Sequence, residues 1–263
     1  TPILAIARKN NLKVIGDTAQ SPGAKYKGKL AGTLADVGGF SFNYHKHIHT
    51  GEGGMIVTND EKIAKKCQLI RNHAEASIID TPNPDLKNMI GYNFRLGEIE
   101  SAIGIKQLTK LDNAIYSRQK AALILNQCLA DIEGLTAPVI RKDCTHIYYF
   151  YAMKHDPELT GVTRDRVYDA LLAEGVPVVK QYITLHTYPM FLQKQCYGSK
   201  HFPWSLNEHV DYRYGEGTCE VAERINNYEY LGIFMCGSNF EDYETNLVAN
   251  AIAKVYSNLD QLR

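Results

Sequence analysis

The chain has 263 residues, 44% of them hydrophobic and 22% charged, enough to bury one large core or two smaller ones. Lys+Arg and Asp+Glu both number 29, so net charge argues for neither a nucleic-acid nor an anionic-membrane partner. No apolar stretch reaches a membrane span, no signal peptide opens the chain, and six scattered cysteines without a C-x-x-C pair speak for reduced thiols in a cytoplasmic protein.

Proline in the first turn predicts a helix over residues 3–9. Residues 12–15 predict a short strand that leaves Asp17 just past its C-terminal end, the edge where open α/β sheets bind ligands. The plainer reading of Asp17 is a turn cap. Gly23, Gly28 and Gly32 mark a loop or a short hairpin. Strands follow at 37–42 and 55–58, and Asn59 and Asp60 can cap a helix running through Ile70. Residues 76–90, aperiodic and carrying Pro82 and Pro84, read as an exposed loop. One long helix is predicted from about Gly97 through Ile103, Leu108, Leu111, Ile115 and Ala122 to Leu125, carrying the chain from one domain to the next.

Beyond it, 146–153 is a β-rich run. Residues 163–174 predict a helix stopped by Gly175, with Pro177 beyond. A short strand at 176–179 precedes an aromatic, Pro- and Gly-bearing stretch at 182–218. The closing helix, 240 to about 259, opens on the capping-box pattern Ser238-x-x-Glu241. Alternating strands and helices predict an α/β fold, with residues 1–115 in a first domain and 116–263 in a smaller α+β domain.

The chemistry gathers around Lys46. It lies between a strand-like run and a glycine-rich turn, bracketed by Gly38-Gly39 and Gly51-x-Gly53-Gly54, residues that allow tight turns or close approach of a ligand. An amine able to form a Schiff base and a carboxylate, Asp17, able to hold a pyridine nitrogen protonated are the two parts that pyridoxal phosphate chemistry needs. Read singly, each residue is ordinary: a surface lysine, a turn aspartate, a solvent-facing strand serine at Ser41. The run 51–54 lacks the spacing of a P-loop. His45, His47 and His49 would share one face of an extended segment, but no fourth ligand stands in register, so no metal is expected.

Taken in order, Val14-Ile-Gly-Asp-Thr-Ala-Gln20, Tyr26-Lys-Gly28, Phe40-Ser-Phe42, Lys46, Thr50-Gly-Glu-Gly-Gly54, Ile56-Val-Thr-Asn-Asp60, Gly91-Tyr-Asn-Phe-Arg95 and Ala102-Ile-Gly-x-x-Gln107-Leu form a series. This series resembles the DegT/DnrJ/StrS-type sugar aminotransferases, fold-type I pyridoxal-phosphate enzymes that aminate keto groups on nucleotide-linked sugars. The resemblance implies part of a large cofactor domain, a mostly parallel sheet with helices on both faces, followed by the smaller α+β domain. It makes Lys46 the catalytic lysine that binds the cofactor and shuttles protons, and Asp17 the partner of the ring nitrogen. Gln20 would meet the ring's hydroxyl side and Ser41 the phosphate. Asn93 and Arg95 match positions that reach the phosphate from a neighbouring subunit, implying a homodimer with shared active sites.

The implied reaction takes an amine from glutamate or glutamine and delivers it to a nucleotide-linked ketosugar, in amino-sugar biosynthesis for cell-surface polysaccharide such as lipopolysaccharide or for secondary metabolites. The resemblance also implies a preceding segment bearing a phosphate loop and a ring-stacking aromatic residue, so the chain reads as starting inside the cofactor domain. Related sugar 3-dehydratases carry histidine at the lysine position; Lys46 favours transamination. A non-catalytic sugar-nucleotide-binding homologue and an unrelated phosphate-binding module built on 51–54 are the competing readings.

Overall fold

The computed structural model describes residues 1–75, 89–180, 182–237 and 240–263. The chain forms two compact units that interleave along the sequence. The first comprises Thr1–Lys120, Ile140–Tyr149 and Cys236–Asn239; the second comprises Ala121–Val139, Phe150–Met235 and Phe240–Arg263.

In the first unit, helix α1 (Pro2–Lys9) starts on proline as expected. Strand β1 (Ile15–Asp17) begins at the residue where the strand predicted over 12–15 ends, so Asp17 is its last residue instead of lying beyond it. The backbone N–H of Val14 is taken by the Asp36 carboxylate at 2.8 Å, which leaves that stretch outside the sheet ladder. The three glycines mark a hairpin of β2 (Lys25–Tyr26) and β3 (Lys29–Leu30). Strand β4 (Val37–Ser41) runs parallel to β1, with Asp17 opposite Gly39, and β5 (Gly54–Val57) runs antiparallel to β4, with Gly54 opposite Ser41. The three-stranded sheet thus has one parallel and one antiparallel pairing. Helix α2 (Glu61–Arg71) is capped by Asp60, whose carboxylate accepts from the N–H groups of Lys62 and Ile63.

The single long helix expected after Gly97 is two helices, α3 (Glu98–Leu108) and α4 (Leu111–Leu129). The break falls at Thr109, whose hydroxyl donates to the Lys106 carbonyl at 2.8 Å. A threonine that satisfies a last-turn carbonyl offers the backbone an alternative to continuing the helix. The expected loop at 76–90 lies, over 76–88, outside the described residues.

The second unit holds a four-stranded antiparallel sheet in the order β6-β7-β9-β8, made of β6 (Leu135–Thr136), β7 (Phe150–His155), β8 (Val178–Val179) and β9 (Tyr230–Phe234). Its helices are α5 (Pro157–Thr160), α6 (Arg164–Ala173), α7 (Pro189–Leu192), α8 (Glu220–Arg224) and α9 (Asp242–Ser257). Tyr151, Met153, Leu231 and Ile233 of the sheet and Val167, Leu171 and Ile252 of the helices are fully buried; alternate residues of β7 face this core, as period-two side chains must. Gly175, at φ +83°, ends α6 as predicted.

Three expectations need correction here. The β-rich run at 146–153 becomes a strand only from Phe150, because Tyr148 adopts φ +52° and cannot extend. Strand β9 lies where the sequence predicts none. Helix α9 takes Glu241 as its N-cap residue, without a side-chain cap, in place of the capping box; Ser238 lies outside the described residues.

Arg164 ties the second unit together. Its guanidinium is buried and donates to the carbonyls of Lys180, Asn226, Asn227 and Tyr230, and its Nε donates to Asp165 at 2.7 Å. Five donors in a rigid fork can satisfy the carbonyls that a single π-helical turn at Ile225–Glu229 leaves exposed.

Candidate active site

Parallel pairing decides where the site lies. Because β1 and β4 run the same way, the C-terminal end of β1 (Asp17) and that of β4 (Ser41) emerge at the same sheet edge, and antiparallel β5 brings its first residue, Gly54, to that edge. The residues between β4 and β5 therefore form a loop over that edge, and Lys46 sits in it. The loop is closed at its base: Phe42 N–H donates to the Gly53 carbonyl at 2.9 Å, and Thr50 N–H donates to the Phe42 carbonyl at 3.0 Å. Asn43 donates to the Glu52 carboxylate at 2.6 Å, clamping the two arms. Gly51 (φ +86°) and Gly53 (φ +153°) make the return turn, in conformations that side chains rarely adopt.

Gly38 serves the sheet itself: a Cβ there would overlap the Gly32 carbonyl. Gly39, opposite Asp17, faces open space. Asp17 is exposed, and its Oδ1 accepts the Ala19 N–H at 3.0 Å. The next residue, buried Thr18, anchors it by donating both its N–H (2.9 Å) and its hydroxyl (2.6 Å) to the Gly39 carbonyl. Gln20 lies exposed in the turn that follows. The Ser41 Oγ accepts from the Asn43 N–H at 3.2 Å, leaving its own O–H to donate.

Lys46 is half-buried, its N–H donating to the Asn43 carbonyl at 3.0 Å and its Nζ lying 4.5 Å from the centroid of the Tyr149 ring. His47 is buried; its Nε2 donates to the Ile147 carbonyl at 2.8 Å. A carbonyl can only accept, so the proton is on Nε2, and Nδ1 is a buried lone pair without a hydrogen-bond partner among the described residues. Burial pushes the His47 pKa down to about 4, against the opposing pull of the Ile147 carbonyl and helped by the charges of Arg118, Lys46 and His146. Cys236 sits by the same cations: burial raises its thiol pKa while Arg118 and Lys46 act the other way.

The loop 43–48 turns instead of extending, so the three histidines do not share a face. His45 is half-buried beside Tyr44, and His47 points into the unit. Among the described residues no group of three or more His, Cys, Asp or Glu is placed to hold a metal ion.

Asn93 and Arg95 lie on an exposed segment held at the end of α2, and the next residue, Leu96, approaches Gly53 of the lysine loop. Asn93 bridges to Asn72, and Arg95 donates to the Asn72 side-chain oxygen. The residues that sequence reasoning missed, Tyr149, Ile147 and Arg118, share the first unit with Lys46 but stand far along the chain from it, and no local pattern flags them. The aromatic stretch of the second unit packs largely on itself: Trp204 donates to the Tyr214 hydroxyl at 2.9 Å and meets Phe191 edge-on, and His186 pairs with Glu223 at 2.8 Å.

The DegT/DnrJ/EryC1/StrS aminotransferase family profile matches residues 1–210. The chain belongs to that family. Among its relatives, GDP-perosamine synthase of Caulobacter vibrioides is 35% identical over 191 residues, covering 72% of this chain and 50% of the relative. An L-glutamine:2-deoxy-scyllo-inosose aminotransferase of Streptoalloteichus tenebrarius is 28% identical over 274 residues, covering 98% of this chain and 62% of the relative. Among solved structures, an aminotransferase from Psychrobacter cryohalolentis superposes with a TM-score of 0.78 at 26% identity, over 98% of this chain and 65% of its own. The mixed α/β class read from the sequence is the one these family structures share. The chain spans about half to two thirds of the length of these relatives.

Proposed function

We propose that this chain carries the lysine-bearing part of a pyridoxal-phosphate-dependent aminotransferase. It moves an amino group from glutamate or glutamine to a ketosugar borne on a nucleoside diphosphate, toward amino sugars of surface polysaccharide or secondary metabolites. The observation that carries the reading is the shared sheet edge, where the Asp17 carboxylate, the Ser41 hydroxyl and the Lys46 loop come from β1, β4 and the β4–β5 connection. A family relative named for glutamine and a cyclic ketone, and another named for a GDP-linked amino sugar, support the donor and the substrate class.

The donor set fits the cofactor: an anchored carboxylate for a protonated ring nitrogen, a hydroxyl free to donate for a phosphate oxygen, an amine for the aldehyde carbon, and open space above Gly39. When bound, the cofactor supplies an electron sink for the carbon that loses or gains the amine. Lys46 would hold it covalently through Nζ and, once the incoming amine had released that nitrogen, would take and return the proton there. Asp17 would keep the ring nitrogen protonated, Gln20 would meet the ring hydroxyl side and Ser41 the phosphate. Asn93 and Arg95, exposed on the segment after α2, serve the site of a second copy in a homodimer. In this reading the boundary expected near residue 116 separates the cofactor domain from the small domain, with residues 140–149 and 236–239 returning to the first unit. A cytoplasmic location suits six free cysteines, and no helix among the described residues is long and apolar enough to cross a membrane.

The test is to mix the purified protein with pyridoxal phosphate, reduce with borohydride and locate the cofactor by peptide mass spectrometry. The expected result is label on the Lys46 peptide, diminished when glutamate is added before reduction and absent from Lys46→Ala. Label scattered over surface lysines, unaffected by Lys46→Ala, would remove the reading.

A further inference from the structure

We propose that Tyr149 is a positioning residue for Lys46, aimed at it by a strained turn at Tyr148. The proposal takes its functional meaning from the aminotransferase reading, but its geometry stands alone. The Lys46 Nζ lies 4.5 Å from the Tyr149 ring centroid, within the range at which a ring face attracts an ammonium. The Tyr149 ring is buried, only 7% exposed, so it is a fixed surface in a poorly solvated place. The lysine side chain, a flexible four-carbon stem, thereby gains a seat.

The turn that delivers the ring is unusual. Tyr148 has φ +52°, a conformation that bulky residues rarely adopt and that persists only when the surroundings over-determine it. Here they do. The Tyr148 N–H donates to His146 Nδ1 at 2.9 Å, the His146 carbonyl accepts from Gln119 at 2.8 Å, and the Ile147 carbonyl accepts from His47 at 2.8 Å. Ile147 and Tyr148 are each 3% exposed.

Two consecutive residues of the lysine loop thus grip one distant segment, Lys46 by its ring and His47 by its backbone. His45 and His47 flank the same ring, each with its centroid 6.3 Å away. A ring serving only as core filler would not need its face turned to the lysine at the sheet edge. The arrangement keeps the amine parked over Tyr149 whenever it is not linked to cofactor, ready in one place rather than sweeping through solvent.

The experiment uses the protein without cofactor. A small acylating reagent labels its lysines, and the Lys46 rate is read by mass spectrometry against the other lysines as internal controls. Tyr149→Phe keeps the ring face and is expected to label Lys46 within about twofold of the parent. Tyr149→Leu is expected to label it roughly three- to thirtyfold faster, the span of measured cation–π strengths, with the other lysines unchanged. Equal rates in folded Phe and Leu variants would overturn the proposal. Should the Leu variant not fold, Tyr149→Met replaces it.

A second readout needs no variant. Reductively ¹³C-methylated Lys46 should show a methyl resonance displaced upfield by the ring; a resonance at the position of a free lysine overturns the proposal too. If the seat is found but borohydride traps no cofactor on Lys46, the aminotransferase reading fails and the seat stands. If cofactor is trapped while Phe and Leu variants label alike, the seat alone fails.

Discussion

His47 and Ile147, a hundred residues apart in sequence, are joined by a 2.8 Å hydrogen bond from the imidazole Nε2 to the backbone carbonyl. It pins the lysine loop to the segment that carries Tyr149, and it makes the loop sensitive to acid. The folded chain holds His47 neutral, with a pKa of about 4, while the unfolded chain protonates near 6.5. Below 6.5 the unfolded state binds the extra proton, so stability falls as pH drops from about 6.5 toward 4 and is flat above. The full effect is on the order of 3 kcal/mol. His146 and His155 shift the same way through burial and add to the slope. Thermal melts between pH 7.5 and 5 should therefore decline, and His47→Gln should decline less; an identical slope in that variant would refute the assignment.

Asp17 should separate chemistry from cofactor attachment. Asp17→Ala leaves the Lys46 amine and the loop in place, so borohydride trapping on Lys46 should persist. Amino transfer should fall by about 10²–10³-fold, the usual loss when one preorganised electrostatic partner is removed. Transfer at the parental rate would show that Asp17 merely caps the turn to Ala19.

Neighbouring glycines in β4 should behave oppositely. Gly38→Ala would drive a methyl group into the Gly32 carbonyl, an obstacle of backbone that cannot swing aside, and should cost about 2–3 kcal/mol. Gly39→Ala meets nothing within 4 Å and should change stability by less than about 1 kcal/mol. Urea midpoints of the two variants decide the matter, and equal losses would mean that the close approach of Gly32 is not what demands glycine at 38.

Arg164→Ala should be the most damaging of these substitutions. It removes a buried guanidinium and leaves the part-buried carbonyls of Lys180, Asn226, Asn227 and Tyr230 without their donor, at a cost of about 3–5 kcal/mol. Arg164→Lys should recover little, because an ammonium cannot reproduce the planar fork. Chemical denaturation followed by far-UV circular dichroism measures both; full recovery by lysine would show that charge, not geometry, is what the site needs.

Local features were legible in the chain because their causes are local. Asp60 caps α2 and Gly175 ends α6 through atoms only a few residues away. The helix break at Thr109 escaped detection because apolar spacing continues across it, while a single hydroxyl decides the ending. Strand β9 escaped because Gly232 lies in its middle and weakens the strand signal. Only pairing with both β7 and β8 makes it the interior of a sheet.

The site divides in the same way. Sequence alone picked out the residues proposed to bear the chemistry, since Asp17, Ser41 and Lys46 sit in short motifs whose order and spacing survive in one dimension. Tertiary structure alone decided their common edge, which follows from the parallel register of β1 and β4, and the seat of the lysine, which depends on Ile147, Tyr148 and Tyr149 being folded back against it. A motif is a property of neighbours along the chain. A ring face turned toward an amine a hundred residues away comes from packing and hydrogen bonds that exist only once the chain has closed on itself.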